Sequence, residues 1–222
     1  MTTGTADTFV RNRLVWLNQQ GWSHCLAATA DASDQGILRH WQTHDLPVVV
    51  STQRPQHSPD HISLGLPAPT RWGRRKLALA VLPQHIARTG EFPLLEDVAP
   101  ACLSAPAVLE LLLPMRAMQV ALRVYGSYGW AYLTGLDYVR PASDLDLLAV
   151  LAHAAQAQQV AQALLATPAD CRIDGELAFA DGRSVAWREC LQAADGGAVH
   201  VLVKHRTQVQ LLPLATLQGI GP

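Results

Sequence analysis

Asp144-Leu145-Asp146-Leu147-Leu148-Ala149 sets two acids at alternate positions in an otherwise apolar run. In a strand, alternate side chains share a face, so Asp144 and Asp146 point one way while Leu145, Leu147 and Ala149 point into a core. The segment therefore asks for a sheet with one buried face, and it places two carboxylates about 7 Å apart on the other. Like charges at that spacing repel unless something positive lies between them. A divalent cation with oxygen ligands, Mg²⁺ or Mn²⁺, meets that need. Taken alone, an Asp-x-Asp is more often a solvated strand edge whose acids face water.

The preceding residues add a second part. Leu122-Arg123-Val124-Tyr125 reads as a short strand that runs into Gly126-Ser127 and then a helix ending at Gly135. Glycine lets the backbone approach a phosphate, Ser127 adds a hydroxyl, and a helix N-terminus presents N–H groups to an anion. Sixteen residues separate Ser127 from Asp144. The combination points to phosphates held on one side and metal on the other.

Elsewhere the pattern predicts a helix over 11–19, capped by Asp7 and ended by Gly21, and strands over 47–50 and 76–81. Residues 57–69 read as loop. Helices follow over 107–113 and 115–121, with Pro114 opening a new first turn. Strand 144–151, helix 154–165 and strand 172–179 come next. Asp181-Gly182 turns the chain back into 185–187, and 199–204 and 209–212 supply further strands. This is an α/β or α+β order, read as an amino-terminal domain over 1–95 and a second domain over 96–222.

Of the 222 residues 49% are hydrophobic, which suits a folded chain with a real core. Only 16% are charged and the formal net charge is −1, so no global positive field exists to hold nucleic acid or an anionic membrane. No apolar run approaches the ~20 residues of a membrane span, and the start does not read as a signal peptide. Cys25, Cys102, Cys171 and Cys190 are scattered without a Cys-x-x-Cys pair, which reads as four buried thiols in a reducing cytoplasm. His40 with His44, and His57 with His61, lie four apart, but Pro47 and Pro59 argue against helical zinc pairs.

Gly126-Ser127 followed by Asp144-Leu145-Asp146 resembles the polymerase-β-type nucleotidyltransferase superfamily. A narrower resemblance covers most of the chain. Val124-Tyr125-Gly126-Ser127-Tyr128-Gly129-Trp130, Leu133-Thr134-Gly135-Leu136, Ser143 to Leu148, Asp174-Gly175-Glu176-Leu177, Val185 to Glu189 and Val201 to Lys204 are similar to the phosphoribosyl-dephospho-coenzyme-A transferase of malonate decarboxylase. Leu14 to Leu17 and Arg71 to Lys76 fit it in the amino-terminal half.

The resemblance implies an amino-terminal substrate- or partner-binding domain and a nucleotidyltransferase domain with a mixed sheet flanked by helices. It implies transfer of the prosthetic group from 2′-(5-triphosphoribosyl)-3′-dephospho-CoA to a serine of the apo acyl carrier protein subunit of malonate decarboxylase, releasing pyrophosphate in the cytoplasm. Asp144 and Asp146 would hold the metals, Asp174 or Glu176 would complete the site, and Gly126 and Ser127 would grip the pyrophosphate. Arg71, Arg74, Arg75 and Lys76 are the densest positive charge in the chain. They suit the donor's phosphates, the acidic carrier protein or a solvated face. Lys204 could reach a phosphate or lie at the surface. The competing readings are a nucleotidyltransferase of this fold using ATP on a small-molecule or protein hydroxyl, and a nucleotide-binding module without chemistry.

Overall fold

A computed structural model describes residues 9–191 and 200–217. The chain divides into two compact units, Met1–Phe92 with Arg206–Gln208, and Pro93–His205 with Val209–Pro222. Among the described residues no helix is long and apolar enough to cross a membrane.

The first unit runs β1 (Leu14–Leu17), α1 (Gln19–Ala28), α2 (Ala32–Thr43), β2 (Val48–Val50), β3 (Ile62–Pro67), β4 (Lys76–Val81) and β5 (Ile86–Gly90). The strands form an antiparallel sheet in the order β4-β3-β2-β1-β5. The expected helix over 11–19 is not there. Leu14-Val15-Trp16-Leu17 is instead an inner strand between β2 and β5, with Leu14 and Val15 fully buried. A strand buried on both faces loses its alternation, and a short apolar run of that kind cannot be told from a helical segment by period. Asp7 lies outside the described residues. Asn18 caps α1 by accepting from the Gly21 N–H at 2.9 Å. Gly21 does not end that helix. It lies inside it, where a Cβ would press against the His85 carbonyl oxygen.

The second unit runs α3 (Leu95–Val98), α4 (Ala105–Ala117), β6 (Ala121–Tyr125), α5 (Gly126–Thr134), β7 (Leu145–Leu151), α6 (Ala157–Ala166), β8 (Ile173–Phe179), β9 (Ser184–Ala186), α7 (Trp187–Leu191), β10 (His200–Lys204) and β11 (Val209–Pro213). Its sheet has the order β11-β10-β9-β8-β7-β6. The β7–β8 pair is parallel and the others are antiparallel, so the sheet is mixed and the class is α+β. Leu122, Leu145, Leu147 and Leu177 of one sheet face bury against Leu111 and Met115 of α4 and Val160 of α6. The register pairs Tyr125 with Asp146 and Asp146 with Asp174, which puts all three on the opposite face.

Three expectations change in this unit. Residues 105–117 form one helix with Pro114 inside it. The ring falls in the last turn, where the Met118 N–H still reaches the Pro114 carbonyl at 3.1 Å, so Pro114 opens no new helix. Trp187 begins α7 instead of extending β9. Cys102 and Cys171 are joined by a disulfide across 69 positions and are only partly buried, so the chain does not hold four buried thiols. Cys25 and Cys190 are free and buried, and burial pushes both thiols up to about 12. Neither can supply a thiolate nucleophile near neutral pH. Val199 of the expected strand 199–204 lies outside the described residues.

Candidate active site

The site grows from two neighbouring strands of the mixed sheet. A turn closed by Ser143, whose Oγ accepts from the Arg140 N–H at 2.9 Å, delivers Asp144 to the start of β7. Asp146 follows two residues on and faces the same way. Its ladder partner on β8 is Asp174. Gly175 is what lets β8 lie this close to β7. Its φ is +138°, and a Cβ there would fall on the Leu147 carbonyl.

On the other side β6 ends at Tyr125, opposite Asp146, and Gly126 starts α5 at once. Gly126 has φ +59°, and a Cβ at this position would fall inside the Asp146 carboxylate. Only glycine both adopts this backbone and leaves room for the acid. The carboxylate thus lies against the first turn of α5, with Ser127 next in sequence. No side chain caps this helix N-terminus.

The three acids feel one another. Burial pushes the Asp146 carboxyl up to about 6, the charges of Asp174 and then Asp144 add to the rise, and the Arg172 guanidinium opposes it. Arg172 Nη2 donates to Asp174 Oδ2 at 2.6 Å, and its Nη1 lies 3.9 Å from Asp144 Oδ2. The other Asp174 oxygen accepts from the Gly175 N–H at 2.8 Å.

Glu176 is placed differently. It is 6% exposed and tied down: Ser184 Oγ donates to one oxygen at 2.8 Å and Lys204 Nζ to the other at 2.6 Å. Lys204 is therefore the counter-ion of Glu176, with its own side chain 31% exposed. The register sets Asp146 beside Asp174 with Asp144 on the same face, while Glu176 is bonded to Ser184 and Lys204.

The arginine cluster lies in the first unit. Arg75 is committed to Asp34 at 2.8 Å and Asp31 at 3.4 Å, which ties the start of β4 to the first turn of α2. Arg71 stacks over Trp72, 3.7 Å from the ring centre, and bonds His40 Nε2 at 2.8 Å. Arg74 sits at φ 58° in the turn between them. A cleft of about 350 Å³ in the same unit is lined in part by His24, Cys25, His57 and His61, and no carboxylate lines it.

Sequence reasoning gave no role to Arg172 or Ser184. The signal for Arg172 was present, since Arg172, Asp174 and Glu176 alternate along one strand. Ser184 had no such signal, because its contact with Glu176 depends on the hairpin register.

Carboxylate oxygens suit a hard divalent cation, so the chemistry of Asp144, Asp146 and Asp174 fits one. Their present rotamers do not yet enclose it: among the described residues no three His, Cys, Asp or Glu side chains stand close enough together to hold a metal.

Two family models match the chain. The phosphoribosyl-dephospho-CoA transferase MdcG C-terminal domain matches residues 94–215, and the N-terminal domain of the same family matches residues 10–92. A phosphoribosyl-dephospho-CoA transferase of Bradyrhizobium diazoefficiens is 36% identical over 207 residues, covering 91% of this chain and 89% of the relative. One from Xanthomonas euvesicatoria is 36% identical over 212 residues, covering 93% and 95%. No solved structure matches. With both domains matched and near-complete alignment to these relatives, the chain belongs to the phosphoribosyl-dephospho-CoA transferase family and is a transferase of that type.

Proposed function

We propose that the chain transfers the phosphoribosyl-dephospho-CoA group from its 5-triphosphoribosyl donor to a serine of the apo acyl carrier protein of malonate decarboxylase. The observation that carries this reading is Asp144, Asp146 and Asp174 on one sheet face, with Asp146 set against Gly126 at the start of α5. A mixed sheet bearing acids on adjacent strands beside a Gly-Ser helix start supports a nucleotidyltransferase of the polymerase-β type.

The serine oxygen attacks the α-phosphorus of the donor, an O–P bond forms, the α–β anhydride bond breaks, and pyrophosphate departs. Asp144, Asp146 and Asp174 would hold Mg²⁺ or Mn²⁺, which offsets the charge of the phosphates and orients the attacking and leaving oxygens. Asp174 is the carboxylate suited to take the serine proton. The N–H groups of Gly126 and Ser127 and the Ser127 hydroxyl face the departing pyrophosphate. The first unit binds substrate or partner, with Arg71, Arg74 and Arg75 as its candidate cations. On this reading the enzyme works in the cytoplasm on a small acidic protein.

The test is the mass of the apo carrier protein after incubation with donor, Mg²⁺ and enzyme. The wild type should add the phosphoribosyl-dephospho-CoA mass, and excess chelator should stop it. Asp144→Asn and Asp146→Asn should each lower the rate at least a hundredfold while remaining folded. Modification at near-normal rates by either variant, or transfer from ATP in place of the donor, overturns the reading.

A further inference from the structure

We propose that Arg172 is an exchangeable counter-ion: its guanidinium holds Asp144 and Asp174 in the metal-free site and passes to the donor's triphosphate when a divalent cation takes the carboxylates. The inference rests on the transferase reading above and adds to it the residue that links metal loading to donor binding.

Three observations carry it. First, the contacts are those of a competitor. Arg172 lies 2.6 Å from Asp174 Oδ2 and 3.9 Å from Asp144 Oδ2, so its charge occupies the space a cation would share with those oxygens. A cation and a guanidinium against Asp174 Oδ2 repel each other, so the two compete for that oxygen. Second, the side chain is exposed while its backbone is held. The Arg172 side chain is 58% exposed. Its carbonyl accepts from the Leu145 N–H at 2.9 Å, and the preceding Cys171 is bonded to Cys102. The guanidinium therefore swings from a fixed pivot at the rim of the acids. Third, the neighbouring guanidiniums are engaged in ways that suit structure. Arg183 is paired with Asp181, and Arg188 donates to the Ile173 carbonyl at 2.7 Å and stacks over Trp187.

A triphosphate is the natural second partner for that fork. It offers adjacent anionic oxygens that a guanidinium binds bidentately, and it carries more charge than the carboxylates the side chain gives up. The exchange keeps the site near neutrality: the cation enters as the arginine leaves, and the arginine then meets the charge that arrives with the donor. Binding of the cation and the donor should then be coupled, each favouring the other.

Two equilibrium measurements test this without turnover. Mn²⁺ affinity is read from the free-ion paramagnetic resonance signal, without donor. Donor affinity is read by calorimetry with saturating Mn²⁺ and no carrier protein. Arg172→Gln should bind Mn²⁺ about threefold to tenfold more tightly than wild type, and the donor about tenfold to a hundredfold more weakly. Arg172→Lys keeps a charge without a fork, so it should hold Mn²⁺ affinity near wild type and still lose donor affinity. The exposed position makes both variants foldable, which a thermal melt verifies. Mn²⁺ binding that weakens or stays level in Arg172→Gln overturns the exchange, as does unchanged donor affinity. If the wild type itself fails to bind the donor, the transferase reading falls. If it binds and the variant binds equally, the role of Arg172 alone falls.

Discussion

Asp146 shows how one residue can be at odds with its own fold. Its carboxyl titrates near 6 where an ordinary aspartate titrates near 3.8, chiefly because it is buried and secondarily because Asp174 and Asp144 face it. An acid whose pKa is raised in the folded state holds its proton more tightly there than in the unfolded chain. Its contribution to stability is complete below about 3.8 and is lost as pH rises through about 6. The metal-free protein should therefore gain from Asp146→Asn at pH 8, by on the order of 1–2 kcal/mol after allowing for partial exposure. That gain should vanish near pH 4. Thermal melts of both proteins in chelator at the two pH values measure it, and equal differences at both would contradict the electrostatic origin. The same carboxyl ties Mn²⁺ affinity to pH, since a proton and a cation compete for it: affinity should climb as pH passes upward through about 6.

At the level of elements, β8 carries two acids with opposite duties. Asp174 is half-buried and paired with the exposed Arg172, whereas Glu176 is sealed between Ser184 and Lys204. Asp174→Asn should thus cut the transfer rate by orders of magnitude with little change in melting point. Glu176→Gln should keep much more of the rate and lose stability, because Lys204 is left without its partner. Breaking a buried pair of this kind typically costs about 3–5 kcal/mol, and the partial exposure of Lys204 places the loss toward or below the lower end. Rates from carrier-protein mass and melting points together decide between the two acids. β7 and β8 were legible in the sequence because half-buried strands alternate, so their acids could be assigned to one face residue by residue. β1 was not, because Leu14 to Leu17 is buried on both sides and shows no period. Pro114 misled for a related reason: the rule that proline opens a helix is local, whereas α4 is held through its last turn by the packing of Leu111, Leu112 and Met115. Arg172 shows a further limit. Alternation reveals which residues share a face and says nothing of which side chains touch.

The whole molecule is where sequence spacing carried least. Cys102 and Cys171 meet because the loop before α4 and the entry to β8 lie together, where the Asp170 N–H also reaches the Cys102 carbonyl at 3.0 Å, a contact across 69 positions that no local pattern encodes. Closing a loop of that size stabilises a chain by about 4 kcal/mol in the chain-entropy picture. Treatment with a thiol reductant should lower the melting point of the isolated protein by several degrees. A melt with and without reductant, beside the Cys102→Ser, Cys171→Ser pair, checks this, and coincident curves would show that the bridge contributes nothing. Cys25 and Cys190 give no such response, being deeply buried thiols.

That bridge also has a topological result. The loop it closes encloses α4, β6, α5, β7 and α6, so Gly126, Asp144 and Asp146 are all threaded on one covalent ring, while Asp174 lies three residues outside it. A protease that cuts the exposed turn around Pro141 opens the ring and releases nothing. The two fragments stay linked through sulfur and run as one species on a non-reducing gel, and they part only when the bond is reduced.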